Sequence, residues 1–231
     1  MRTSTCPVAY RPNSARTNSK KTYNRRNREC LVRVHLRLSR VVSVSEMSLD
    51  ILIGPMFAGK SSRILSIVSR YSALGTPVLV VKPSKDTRYG NVSAIVTHDA
   101  NTCPCICVRD LDDIPLEDIL KYQVIIVEEA QFFKHLIPFV EHVVDTHGRN
   151  LYLVGLDGDS NRRKFGEILD CIPLADRVER ITAFCQKCAN GTPGLFSHRK
   201  HGISDQQVLI GGHNAYMTLC RQCYMREGAY M

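Results

Sequence analysis

A chain of 231 residues with 44% apolar composition has room for one α/β body and a small appendage. Its formal charge of +9 resembles a polyanion-binding signal until it is located: residues 1–46 carry eleven Lys/Arg against two Asp/Glu, and residues 47–231 carry 20 against 20. The remainder therefore has no net basic field, and no apolar run approaches the ~18–20 residues needed to cross a bilayer, so nucleic-acid and membrane-spanning roles are not expected.

Residues 1–46 are rich in Arg, Ser, Asn and Thr and offer little to bury before Leu31, which predicts a disordered basic arm. Within it, residues 31–44 fit two patterns. As a strand, Arg33, His35, Arg37 and Ser39 alternate against Val34, Leu36 and Leu38; as a helix, Arg33, Arg37 and Arg40 share a face. No secretory signal is visible, and a cytoplasmic location is expected. The Arg/Ser-rich, acid-poor composition keeps a mitochondrial or plastid transit peptide as the alternative.

The apolar run at 49–53 reads as a buried strand and leads into Gly54-Pro55-Met56-Phe57-Ala58-Gly59-Lys60-Ser61. That octapeptide fits G-x-x-x-x-G-K-[ST], and a helical pattern of Ile64, Val68, Tyr71 and Leu74 follows it. Glycines let successive N–H groups curl around phosphate oxygens, and the helix N-terminus adds a favourable dipole. Lys60 supplies a point charge for the β- and γ-phosphates, and Ser61 a hydroxyl for Mg²⁺.

Further strands are expected at 77–81, 92–97, 124–127, 150–155 and 178–182, with helical segments at 116–121 and 136–144. Cys103, Cys105 and Cys107 are placed in a loop. Strands alternating with helices predict a mostly parallel sheet flanked by helices. The strand at 124–127 ends in Glu128-Glu129-Ala130-Gln131, an acidic terminus like the second element of nucleotide-hydrolysing proteins. One carboxylate there holds Mg²⁺ through water and the next serves as a base.

Cys185-x-x-Cys188 and Cys220-x-x-Cys223, separated by 31 residues, have zinc-ligand spacing. Two such pairs close a tetrahedral site with no open position, which marks a structural zinc. The second pair is read as a short knuckle-like turn with Leu219, Arg221 and Gln222. The expected domains are an arm at 1–46, a P-loop α/β body at 47–182 and a zinc-binding element at 183–231.

Together these blocks resemble the thymidine kinase family of the cellular and poxviral type. The likeness rests on residues 54–61, on Lys85-Asp86-Thr87-Arg88-Tyr89 and on Thr97-His98-Asp99. Glu128-Glu129-Ala130-Gln131-Phe132-Phe133 and Leu156-Asp157-Gly158 with Arg162, Phe165 and Gly166 extend it, and Ile210-Gly211-Gly212 with Tyr216 and the four cysteines completes it. The resemblance implies a P-loop NTPase-like fold whose small zinc domain carries a substrate lasso. It implies Glu129 as general base toward the nucleoside 5′-hydroxyl. It places ATP with Mg²⁺ on residues 54–61, Asp86, Thr87, Arg88, Glu128 and Gln131.

Thymidine would meet Met56, Phe132, Leu156, Ser160 and Ser197, under a lasso of Gln207, Val208, Leu209, Ile210, Gly211 and Tyr216. Because that lasso lies inside the loop closed by the metal, zinc loss would weaken thymidine binding more than ATP binding. A homotetramer inhibited by thymidine triphosphate is also implied. The family usually has Asp where this chain has Glu128 and an aromatic residue where it has Ser160, and its usual start lies near Met47. The alternatives are a nucleic-acid-dependent ATPase with a zinc element and a non-catalytic nucleotide-binding relative.

Overall fold

Apolar runs too short for helices, set between helical segments, become the strands of one sheet. The computed structural model describes residues 47–86, 94–96, 102–200 and 206–228. In chain order it begins with β1 (Ser48–Ile53), α1 (Lys60–Ala73), β2 (Val78–Pro83), β3 (Ala94–Val96), β4 (Thr102–Pro104) and β5 (Ile106–Val108). Next come α2 (Leu116–Ile119), β6 (Val124–Val127), α3 (Leu136–Val140), β7 (Asn150–Gly155) and β8 (Arg177–Arg180). The zinc-ligand region holds β9 (Ala183–Phe184), β10 (Pro193–Gly194), β11 (Phe196–Arg199), β12 (Tyr216–Leu219) and α4 (Arg221–Gly228). Ser45–Met231 groups as one unit and Met1–Val44 as another, which lies outside the described residues.

Six strands form a sheet in the order β5-β2-β6-β7-β1-β8, and every pairing in it is parallel. Side chains alternate across a strand. Leu49, Ile51, Ile53, Ile125, Val127, Leu151 and Leu153 therefore join one core with Phe139 and Val140 of α3. Leu52, Val80, Val124, Ile126 and Val154 join the other with Ile64 and Ile67 of α1. A parallel sheet must be covered on both faces, which explains the near-continuous apolar runs. Each fully buried Leu or Ile contributes about 1.5–3 kcal/mol.

Several expectations need correction. Leu74 follows the helical spacing but is 77% exposed, because α1 ends at Ala73 and Leu74 is its C-cap. Of the cysteines expected in a loop, Cys103 and Cys107 lie on strands, and Cys105 is the single residue between those strands. Cys103 lies on β4, which pairs antiparallel with β3, and Cys107 on β5, the edge of the main sheet. Cys103 and Cys105 are core residues, and burial pushes the Cys105 thiol up to about 12. Residues 219–222 are the end of β12 and the start of α4 rather than a turn. After α3 the helix continues as a π-helix over Glu141–Thr146. Of the strand expected at 92–97, β3 is described; Thr97 and residues 87–93 lie outside the described residues.

One glycine is dictated by packing. Gly166 has φ +64, and a Cβ there would lie 2.1 Å from the backbone oxygen of Gln131. Gly166→Ala is expected to cost at least about 2 kcal/mol, lowering Tm by roughly 4–8 °C. An unchanged melting curve would show that this backbone approach is not tight.

Candidate active site

Parallel strands bring their C-terminal ends to one edge, where open α/β sheets hold ligands. The register aligns Ile53 with Gly155, Val127 with Leu153, and Val81 with Val127. The segments after β1, β2, β6 and β7 thus emerge together, and these carry the sequence-predicted residues.

The segment after β1 turns through Phe57 at φ 62 and Gly59 at φ 83 into α1. That helix has no side-chain N-cap and no acidic residue in its first turn, so its first N–H groups suit an anion. Lys60 Nζ donates to the carbonyls of Gly54 at 3.1 Å and Pro55 at 2.7 Å, which holds the ammonium over the loop. Ser61 Oγ donates to Glu128 Oε1 at 2.6 Å. The longer Glu128 side chain therefore reaches Ser61 directly, and two hard oxygen donors side by side fit Mg²⁺.

The acidic pair is held firmly. The Glu128 N–H extends the ladder of β6 by donating to Val81 O at 2.8 Å. Glu129 follows at φ 51 and is 6% exposed; a non-glycine residue in that conformation is strained and is maintained by its surroundings. Gln131 Nε2 donates to Glu129 Oε2, while Gln131 Oε1 accepts from Leu156 N at 3.0 Å. Gln131 is 3% exposed and is not on the cavity wall; its amide ties Glu129 to the segment leaving β7.

A cavity of about 910 Å³ gathers most of the remaining residues. Met56 to Ser61, Asp86, Glu128, Glu129 and Phe132 line it, as do Leu156, Ser160 and Ser197. So do Gln207, Val208, Leu209, Ile210, Gly211 and Tyr216. Thr87 and Arg88 lie outside the described residues. Tyr216 Oη donates to Leu209 O at 2.8 Å, and Gln207 Nε2 to Asp159 Oδ2 at 3.0 Å, fixing that last segment at two points. Ser160 has its carbonyl taken by Tyr224 Oη of α4 at 2.6 Å.

Lys82, Asp159 and His213 also line the cavity and were not singled out from sequence. Lys82 had a readable signal, a charged residue at the C-terminal end of an apolar strand; it is 4% exposed and donates to Ala94 O. Asp159 had none, because its role lies in accepting Asn161 N–H, Arg163 N–H and the Gln207 amide in space.

The four cysteines converge, with all thiol sulfurs within 4.8 Å of one another. Cys188 Sγ lies 3.8 Å from Cys220 Sγ and 3.6 Å from Cys223 Sγ. Tetrahedral zinc with bonds of about 2.3 Å requires sulfurs about 3.8 Å apart, so the donor set fits. Burial opposes ionisation of Cys185, but backbone N–H groups of Cys220, Cys188 and Lys187 bring its thiol down to about 6. Such amides suit thiolate ligands.

The family model for thymidine kinase matches residues 47–224. The chain is 41% identical over 182 residues to thymidine kinase a of Arabidopsis thaliana, covering 77% of this chain and 75% of the plant protein. It is 37% identical over 177 residues to the thymidine kinase of Monkeypox virus, covering 77% and 96%. It is 33% identical over 181 residues to the cytosolic thymidine kinase of Bos taurus, covering 78% and 73%. A phosphate loop and an acidic strand end line one cavity, the four-thiol cluster lies within the same matched span, and the chain belongs to the thymidine kinase family.

Proposed function

We propose that this chain transfers the γ-phosphoryl group of ATP to the 5′-hydroxyl of thymidine, giving ADP and thymidine monophosphate. The observation that carries this reading is the cavity shared by Lys60 and Ser61, the Glu128–Glu129 pair and the segment bearing Gln207 to Tyr216. Phosphoryl transfer needs positioning, charge neutralisation and one base.

The amides of residues 54–61 and Lys60 hold the triphosphate, with Asp86, Thr87 and Arg88 beside it. Ser61 and Glu128 would hold Mg²⁺, which would supply charge neutralisation to the triphosphate. Glu129 accepts the 5′-hydroxyl proton as that oxygen bonds to the γ-phosphorus and the bond to ADP breaks. Gln131 acts through Glu129, keeping its carboxylate turned to the cavity. Met56, Phe132 and Leu156 flank the base, Ser160 and Ser197 complete the wall, and backbone groups of Gln207, Val208, Leu209, Ile210 and Gly211 face its polar edge. A zinc held by Cys185, Cys188, Cys220 and Cys223 would be structural, since the four thiolates leave no open position.

The reading divides the chain into an arm at 1–46, a kinase body at 47–182 and a zinc-binding lasso element at 183–231. It includes a homotetramer, inhibition by thymidine triphosphate and a cytoplasmic location, with a mitochondrial or plastid address at 1–46 as the alternative. No helix among the described residues is long and apolar enough to cross a membrane. The balanced charge of 47–231 disfavours a nucleic-acid-driven ATPase.

Incubating the purified full chain with γ-labelled ATP, Mg²⁺ and each deoxynucleoside in turn is expected to label thymidine. ATP hydrolysis that responds to DNA, with no labelled nucleoside, would overturn the reading.

A further inference from the structure

Both backbone polar groups of Met56, at the centre of the phosphate loop, are held by the zinc-bearing hairpin. Its N–H donates to Ser197 Oγ at 3.0 Å, and its carbonyl accepts from Thr218 Oγ1 at 2.8 Å. Ser197 on β11 and Thr218 on β12 are direct cross-strand partners, so two facing side chains grip one residue. Ser197 is 5% exposed and Thr218 fully buried.

Thr218 is in turn held by the segment that carries the first cysteine pair. It stands two residues before Cys220, and its carbonyl accepts from Gln186 N at 2.9 Å while its N–H donates to Gln186 Oε1 at 3.3 Å. Gln186 lies between the ligand positions Cys185 and Cys188. A Cβ on Gly194 would come within 2.8 Å of the Thr218 methyl, so packing also locks that side chain. The next loop residue, Phe57, stacks on His213 of the segment between the two strands, with ring centroids 3.8 Å apart.

We propose that Thr218 is a positioning residue for the phosphate loop, through which the zinc element sets nucleotide affinity as well as covering the nucleoside. Thr218 does not line the cavity, so it acts on nucleotide only through Met56. Leaving a buried carbonyl without its donor is costly, and the loop can recover that loss only by turning the Met56 peptide away from the geometry that cradles phosphate. This extends the expectation that zinc serves thymidine binding above ATP binding. It rests on the assignment of residues 54–61 to the triphosphate.

The test uses the full-length protein and its Thr218→Val and Thr218→Ser variants, with zinc content and melting temperature measured on each. Val matches Thr in shape and lacks the hydroxyl; Ser restores it. Titration of Mg²⁺–ATP by calorimetry without nucleoside is expected to show about 5–20-fold weaker binding for Thr218→Val, recovery in Thr218→Ser, and zinc unchanged in both. The KM for thymidine is expected to rise less than ATP affinity falls, because Met56 meets the phosphates through its backbone and the base through its side chain. Unchanged ATP affinity in Thr218→Val overturns the proposal. So does loss of zinc with equal weakening of both ligands, which would make Thr218 a folding residue alone. If the unaltered chain binds no ATP, the assignment of the loop fails first and the proposal with it.

Discussion

Glu129→Gln is expected to lower turnover by about 10²–10⁴-fold, equivalent to about 2.7–5.4 kcal/mol of transition-state stabilisation, while ATP affinity changes little. The substitution keeps shape and removes the ability to take a proton. The Gln131 amide can flip to keep its bond to the new side chain, because it has a donor and an acceptor end. If Gln131 flips, it loses the Leu156 N–H that it now receives; if the new amide instead turns its oxygen to Gln131 Nε2, that contact persists. The left-handed backbone at Glu129 is the reason to bet on this carboxylate: a strained residue held by buried partners marks a position whose orientation matters. The measurement is kcat with saturating thymidine alongside ATP titration. Near-normal kcat in Glu129→Gln, together with abolished kcat in Glu128→Gln, would exchange the roles of the two acids.

Cys220→Ser is expected to reduce zinc from one per chain to near zero and to abolish thymidine phosphorylation. Structural zinc contributes on the order of 10 kcal/mol to the fold of small metal-bearing elements. This one has little else: the described core here is Cys185, Leu219, Cys220 and Tyr224, with Phe196 and Met217 against it. Losing the metal frees β11 and β12, and with them the grip on Met56 and the Tyr216 anchor of Leu209. Both ligands should therefore weaken, and trypsin should cut within 183–228 before it cuts the α/β body at 47–182. Full zinc occupancy in the variant, or full activity without zinc, would remove the metal from the account.

Much of the body was legible because it obeys local rules. The runs at 124–127 and 150–155 became β6 and β7 with those bounds, since a strand covered on both faces must be apolar throughout. Residues 54–61 and the paired cysteines were readable because phosphate and zinc demand fixed residue types at fixed spacing. The strands carrying Cys103 and Cys107 are three residues each, too short for a period to show, and on β4 the buried Cys103 stands in for an aliphatic side chain. Leu74 kept the helical period past the end of the helix, where no partner remains to bury it.

What the amino-acid sequence determined by itself is the set of chemical groups: a phosphate loop, two consecutive carboxylates, four thiols and an apolar sheet to carry them. What only the tertiary structure decided is which groups hold which. Gln131 grouped in sequence with nucleotide ligands, and in space it fastens Glu129. Ser197 and Thr218 reach Met56 across 141 and 162 residues, through hydroxyl contacts that leave no periodicity or spacing in the chain. Such contacts depend on the sheet bringing β1 to the zinc hairpin, and a single polar side chain carries no record of its distant partner.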